Sequence, residues 1–296
     1  MIGSQTRRRR APAPPAQGPR GSAACHDLIR TLYERAPHTT LYTPFCKIRQ
    51  RLETCSFLGS TDGRHLCAAL AYSRDAVEFS WAAPGRRDTL QNLLGQLAGR
   101  IGSPAFLPVL EGGSRSWARR LEMPLRDRCF RALHTGEAAT GELPSDYCFR
   151  DVEPQADLSA AARLMNAAYA SLPDFMTSER LEAMIASDYY FPGGWFFLIG
   201  RGERPVGLAL SGYDREMDEG FIDWIELLPR QRQRGLGRML IGECLRRLQH
   251  ARWVTVAGSL DAPFVVGDLY RSCGFRQTAH WSILGTSTEE RRRSSP

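Results

Sequence analysis

The residues best suited to chemistry in this chain form one run, Ile222-Asp223-Trp224-Ile225-Glu226-Leu227-Leu228-Pro229-Arg230-Gln231-Arg232-Gln233-Arg234-Gly235-Leu236-Gly237-Arg238. Asp223 and Glu226 stand in an apolar segment rich in β-formers, which reads as a buried strand. A carboxyl buried there needs a partner or takes a raised pKa, and a raised pKa suits a general base. Pro229 ends the strand. A basic turn follows, and the residues from Arg238 to Leu248 repeat apolar side chains at helical spacing. Gly235 and Gly237 lack a Cβ, so backbone there can approach a ligand and aim its amides at it. Those amides belong to a helix N-terminus, where unpaired donors and the dipole favour an anion. With Arg232, Arg234 and Arg238 around the same point, the chemistry is phosphate or pyrophosphate binding beside a carboxylate-bearing strand.

Two common phosphate motifs are excluded. A dinucleotide-binding fingerprint needs a third glycine where this chain has Leu240, and no Gly-Lys-Ser/Thr run of a P-loop occurs. Arg232-Gln233-Arg234-Gly235-Leu236-Gly237, following a strand-ending proline, instead resembles the Arg/Gln-x-x-Gly-x-Gly/Ala signature of the GCN5-related N-acetyltransferase superfamily. About thirty residues on, Leu269-Tyr270-Arg271-Ser272-Cys273-Gly274-Phe275 is similar to the family's closing leucine-tyrosine and glycine-phenylalanine motif. The resemblance covers roughly residues 146–285. It implies an α/β fold with a mixed central sheet flanked by helices, and acetyl-CoA as co-substrate, its pyrophosphate held by Arg232, Gln233, Arg234, Gly235, Leu236, Gly237 and Arg238. It further implies that the fourth and fifth strands splay apart, so that a main-chain amide of Leu227 or Leu228 can bond the acetyl carbonyl. Tyr270 takes the position of the general acid that protonates the departing sulfur. For substrate or base work the resemblance offers Asp223 first, with Glu226 close behind. Three apart, the two fall on opposite strand faces unless a β-bulge intervenes. The family's frequent asparagine before the tyrosine-bearing helix is missing, its place taken by Asp261-Ala262-Pro263-Phe264.

The elements that must position these residues are legible along the chain. Residues 1–22 form a basic tail without periodicity, for which disorder is expected. Helical patterns run from Cys25 through Tyr33 and around Phe45 to Leu58. Strands are expected at Leu66–Tyr72 and Val77–Trp81, a helix at Arg87–Arg100, a strand at Ala105–Leu110, a helix near Ser116–Leu121 and a strand near Cys129–Leu133. Residues 136–145 read as a linker. Beyond it come a strand at Tyr147–Val152, a helix from Asp157 to Ala170, a helix capped by Thr177 or Ser178 and ending near Ile185, and a hairpin of Trp195–Gly200 with Val206–Tyr213. After the central strand and its helix follow a strand at Trp253–Leu260, a helix at Phe264–Ser272 and a last strand pair ending near Leu284, with a loose tail over 286–296. The first half, residues 23–135, echoes the second faintly: strand, Pro84, helix, but with no Gly-x-Gly in the turn. Two tandem domains are therefore expected, a degenerate acetyltransferase-like one over 23–135 and a catalytic one over 146–285.

Composition sets further bounds. The chain has 296 residues and a formal charge of +7, enough length for two domains of usual size. Most of that charge lies in Arg7, Arg8, Arg9, Arg10 and Arg20 and in the arginine run near the end, which leaves a nearly neutral body. A broad nucleic-acid-binding face is thereby disfavoured, except through the tail. The eight cysteines have no Cys-x-x-Cys spacing, so no metal is expected and the thiols read as reduced and mostly buried in a cytoplasmic protein. No apolar run has the length of a membrane span. The expected function is transfer of an acetyl group to a primary amine by direct attack in a ternary complex. The acceptor would be a small molecule or a protein amino group, lined by aromatics among Phe175, Tyr189, Tyr190, Phe191, Trp195 and Tyr213. The alternative is a CoA-binding regulatory or scaffold protein of the same fold without turnover.

Overall fold

The computed structural model describes residues 19–285 except 64, 75, 102–103, 105, 111–118, 120–121, 137–140, 170–174 and 261–265. The expected helix near Ser116–Leu121 and the Asp261–Phe264 segment lie largely or wholly outside the described residues. So do most of the basic tail and the closing tail.

The first half opens with α1 (Pro19–Arg35), α2 (Pro37–Thr40) and α3 (Phe45–Thr54). The helix starts earlier than the expected end of the tail at residue 22. The second helical pattern stops at Thr54, short of Leu58, because Ser56 opens β1 (Ser56–Asp62), where Leu58 pairs with Leu70. With β2 (His65–Tyr72) and β3 (Val77–Ala82) it makes an antiparallel three-stranded sheet. Leu90, Leu93, Leu94 and Leu97 of α4 (Arg87–Ile101) recur at helical spacing and bury against one face. Ile29, Tyr33, Phe45, Ile48 and Leu52 of α1 and α3 bury against the other. Two further strands, β4 (Leu107–Leu110) and β5 (Leu125–His134), follow before the second half begins.

The second half supplies β6 (Cys148–Asp151), α5 (Pro154–Ala168), α6 (Ser178–Ile185), β7 (Tyr190–Gly200), β8 (Arg204–Asp214), β9 (Glu219–Leu227), α7 (Leu236–Arg247), β10 (Trp253–Ser259), α8 (Val266–Ser272) and β11 (Gln277–Leu284). Thr177 caps α6, its hydroxyl accepting from the Arg180 N–H at 3.3 Å. Along β7 successive residues split between two cores. Phe196 and Leu198 pack with Leu240, Ile241 and Leu245 of α7, whereas Trp195, Phe197 and Ile199 pack with Leu158, Met165 and Leu181 of α5 and α6. That period of two, apolar on both sides, is what a central strand sandwiched by helices requires.

The large sheet has eight strands in the order β4-β11-β5-β10-β9-β8-β7-β6, so two of its members come from the first half of the chain. β5 inserts between β10 and β11, antiparallel to both, with Ala132 opposite Val256 and Thr278. The segment around Cys129–Leu133 therefore does not complete the first-half sheet, and the expected terminal strand pair is one strand, β11, whose partners are β4 and β5. A local hairpin reading could not see this, since strand alternation encodes a buried face but not the identity of the neighbour. The mixed sheet with helices on both faces is the expected α/β architecture, and the first half keeps a sheet of its own.

The join between the halves is polar and buried. Arg131 on β5 donates to the carbonyls of Pro37 at 2.9 Å, Leu41 at 3.1 Å and Thr43 at 2.9 Å, and to Glu219 Oε1 at 2.6 Å. Tyr33 donates to Glu219 Oε2 at 2.6 Å and accepts from Arg131 and from the Phe45 N–H. A charge buried this deeply is tolerable only when its hydrogen-bonding capacity is met, and most of these donors are satisfied.

Candidate active site

β9 carries the candidate carboxylates, and its two edges behave differently. Toward β8, Leu210 pairs with Trp224 and Ser211 with Ile222, so Asp223 is an extra residue, a β-bulge. The extra residue reverses the alternation beyond it, so Asp223 and Glu226, three apart, come to one face. Trp224 and Leu228 pack on the core of α5 and α6, and Ile222, Ile225 and Leu227 on that of α7. Toward β10, pairing runs from Trp253 opposite Glu219 to Val256 opposite Ile222 and stops. β9 continues to Leu227 and β10 to Ser259, so the two strands part beyond Ile222.

The amide expected to face this gap is that of Leu227 or Leu228. Leu228 donates to the Val206 carbonyl at 3.0 Å, which makes that pair the hydrogen-bonded one on the β8 side. The preceding residue then turns its peptide groups the other way, so the Leu227 N–H points toward the gap. Leu228 is thereby removed as a donor and Leu227 retained.

Beyond a turn at Pro229–Gln231, Gly235 caps α7 with φ +80°. Only glycine adopts that left-handed conformation without strain, and a Cβ there would meet nothing within 4 Å, so the face is open. Arg238 and Met239 direct their N–H groups at the Gly235 carbonyl. The Leu236 and Gly237 N–H groups therefore stand outside the helix ladder at its positive end. Leu236 buries its side chain in the core, so only its backbone faces outward. Gly237 has a different reason to be glycine than a ligand's approach: a Cβ there would sit 3.2 Å from Leu269 Cδ2, so it lets α7 and α8 pack closely. Gln233, with φ +61°, Arg234 and Arg238 are arrayed around the loop. Arg232 departs from expectation. Its guanidinium turns inward, donating to the Leu227 carbonyl at 3.2 Å and the Ala168 carbonyl at 2.6 Å, and so ties the loop to β9 and to the end of α5.

The two carboxylates have separate partners. Asp223 forms an ion pair with Lys47 of α3, both side chains about one-tenth exposed. Lys47 also lies 5.1 Å from the Phe221 ring centroid and 5.8 Å from that of Tyr189. Burial pushes the Asp223 carboxyl up, and the Lys47 ammonium pulls it back. Glu226 has no ammonium beside it. Burial pushes its carboxyl up to about 8, against a hydrogen bond from Tyr169 and the charge of Arg232. Tyr270 on α8 is buried with its ring 6.0 Å from Phe130 of β5 and 5.5 Å from Phe275. Burial raises its hydroxyl well above the ordinary tyrosine range, with Cys244, Glu226 and Tyr169 as neighbours acting in the same direction. Glu226 and Tyr270 thus share one neighbourhood, while Asp223 lies in another with Lys47.

Tyr169, which nothing in the motifs singles out, ends α5 and is the partner of Glu226. It stacks edge-on against Phe175 at 5.1 Å and Trp224 at 6.3 Å. The other proposed pocket aromatics scatter. Tyr189 packs on Phe221, Tyr190 on Trp195, and Phe191 with Tyr213 on His250.

The family comparison decides what kind of domain this is: residues 162–275 match the model of the acetyltransferase (GNAT) family. These residues form a GNAT-superfamily domain. No curated protein matches the sequence. Among solved structures, a GCN5-related N-acetyltransferase from Sphaerobacter thermophilus aligns over 80% of this chain and 84% of its own, with a TM-score of 0.59 and 17% identity. A tandem GNAT protein from the clavulanic acid biosynthesis pathway aligns over 92% and 96%, with a TM-score of 0.55 and 14% identity. A GNAT-family acetyltransferase from Colwellia psychrerythraea aligns over 92% and 98%, with a TM-score of 0.60 and 8% identity. At these identities the likeness is one of fold, and it extends through both halves of the chain. Among the described residues no His, Cys, Asp or Glu group could hold a metal ion, and no helix is long and apolar enough to cross a membrane. All eight cysteines are free, six of them buried.

Proposed function

We propose that this GNAT protein is an acetyl-CoA-dependent N-acetyltransferase acting on a primary amine by direct attack in a ternary complex. The observation that carries the reading is the gap between β9 and β10, with the Leu227 N–H facing it, Gly235 at one end, and Glu226 and Tyr270 in one neighbourhood beside it. The residues fit the co-substrate. Leu236 and Gly237 amides with Arg234 and Arg238 suit a pyrophosphate, and the open Gly235 face leaves room for it. When bound, acetyl-CoA supplies an acetyl thioester. The Leu227 N–H is then a donor for an oxygen that gains negative charge during transfer.

Glu226 is the base in this reading. Its carboxyl, near pKa 8, takes a proton from an ammonium at a pH where the resulting amine is nucleophilic. Asp223, the first candidate on sequence, is already neutralised by Lys47 and is assigned to holding α3 against the strand. Tyr270 keeps its proton at neutral pH and holds it at Oη for the leaving sulfur. The first half is read as a degenerate repeat that completes the catalytic sheet instead of binding CoA. The test is calorimetry with acetyl-CoA on the full chain, followed by thiol-release assays over an amine library. Binding with turnover supports the enzyme, binding without turnover on any amine supports a CoA-binding regulatory protein, and no binding by folded protein overturns both.

A further inference from the structure

Resting on that reading, we infer that the acceptor is a small primary amine with an aromatic or bulky apolar stem. Its stem would lie against Tyr169, Phe175 and Trp224, and its nitrogen would reach Glu226. Three observations carry this. First, the three rings form one cluster, with centroids 5.1 Å (Tyr169 to Phe175), 5.7 Å (Phe175 to Trp224) and 6.3 Å (Tyr169 to Trp224) apart, and all three are partly exposed. Partly exposed aromatics in mutual contact offer a low-entropy apolar surface, and their faces attract an alkylammonium. Second, Glu226 stands two residues after Trp224 on β9, beyond the bulge, and so shares the strand face of that ring; of the two candidate carboxylates it is the one not ion-paired to Lys47.

Third, the far end of the strand face is closed. Lys47, reaching in from the first half, occupies Asp223 and lies against Phe221 and Tyr189. That closure discriminates between acceptor classes. A polyamine would bring a second ammonium to a place where the nearby carboxylate is already neutralised. A peptide would need the strand face that Lys47, Tyr189 and Phe221 fill. An amino acid would set its carboxylate beside Glu226, a like-charge contact whenever Glu226 is ionised to act as base. An arylalkylamine meets none of these penalties. Its transfer forms an N–C bond and breaks the C–S bond, converting ammonium and thioester to amide, free thiol and one proton, which Glu226 takes.

The experiment measures kcat/KM of the full chain with acetyl-CoA for 2-phenylethylamine, spermidine, glycine and a peptide with a free amino terminus. It runs beside calorimetry of acetyl-CoA alone. The expected result is a preference for 2-phenylethylamine, abolished in Phe175→Ala through a rise of about tenfold in KM for the amine with the KM for acetyl-CoA unchanged. Preference for spermidine, glycine or the peptide overturns the inference and leaves the acetyltransferase reading standing. Absence of acetyl-CoA binding overturns that reading, and saturation-transfer NMR of 2-phenylethylamine with wild type and Phe175→Ala still decides the inference. A saturation signal with wild type that disappears in the variant supports it, and no signal with wild type ends it. Trp224→Leu, which keeps apolar volume in the strand, gives the same comparison if Phe175→Ala does not fold.

Discussion

Arg131 and Glu219, from strands contributed by opposite halves of the chain, meet at 2.6 Å with both side chains fully buried, and Thr255 of β10 bonds to each of them. The pair therefore helps to fasten the first half to the eight-stranded sheet. Arg131→Leu leaves Glu219 charged without its partner and removes the donor shared by the Pro37, Leu41 and Thr43 carbonyls. The expected loss is about 3–5 kcal/mol in urea unfolding, because breaking a buried pair strands the remaining charge. The double variant Arg131→Leu, Glu219→Leu should recover part of that loss. A single variant within about 1 kcal/mol of wild type would show that the network is not a fastening.

A fragment beginning at residue 141 contains the whole family match but lacks β5. Its sheet would have open edges at β10 and β11 and a core missing Phe130 and Ala132. Unpaired edges and exposed apolar surface lead to association. The fragment is expected to be insoluble or unfolded by circular dichroism, and to regain structure when co-expressed with residues 1–140. A folded, monomeric fragment with acetyl-CoA affinity would refute the dependence.

The legible parts of this protein are those encoded locally. Strand, Pro229, glycine turn and helix follow one another within twenty residues, and the structure keeps that order. Gly235 stands at the head of that helix, with its φ of +80°. What sequence does not supply is long-range partnership. Lys47 meets Asp223 across 176 residues, and nothing in either neighbourhood announces the other. On sequence Asp223 therefore looks like the better base. The same limit hides the exchange of β5, since its alternation reads identically in either sheet. A guanidinium in a basic turn, such as that of Arg232, looks solvated or ligand-facing, whereas main-chain carbonyls at Leu227 and Ala168 claim it.

The pH dependence of turnover follows from Glu226. A base raised to about 8 by burial is mostly protonated at neutral pH, so kcat/KM should climb with pH and level off above about 8. Glu226→Gln should lose about 10²–10⁴ in kcat and flatten that limb, with acetyl-CoA affinity retained. Stability moves oppositely. The folded carboxyl binds a proton that the unfolded one has released, from the ordinary carboxylate range up to about 8, so this group lowers stability as pH rises through that window. The Tm of Glu226→Gln should therefore gain on wild type between about pH 5 and about pH 8. A constant difference would mean that Glu226 is not protonated in the folded state.

Tyr270→Phe tests the proton for the leaving sulfur. The ring's contacts with Phe130 and Phe275 are kept, so the fold should tolerate the change. Turnover is expected to fall by about two orders of magnitude while calorimetric affinity for acetyl-CoA stays within about twofold. Unchanged kcat under conditions where chemistry limits the rate would return Tyr270 to a purely structural part.

The two loop glycines separate binding from chemistry because their surroundings differ. At Gly235 a side chain has space but a strained backbone, and it starts from the N-cap of α7, beside the unpaired helix amides. Gly235→Glu sets a negative charge at the positive end of α7, against the phosphates, and acetyl-CoA affinity should fall more than about tenfold. Gly235→Ala, which brings strain without charge, should cost about 1 kcal/mol of stability and less affinity. At Gly237 the neighbour is Leu269, one residue before Tyr270. Gly237→Val pushes on that helix, so kcat should drop more than affinity, the reverse of the Gly235→Glu pattern. Calorimetry and initial rates on the three variants read both quantities. Equal affinity in wild type and Gly235→Glu would move the pyrophosphate away from this turn, and with it the orientation on which Leu227, Glu226 and Tyr270 were assigned.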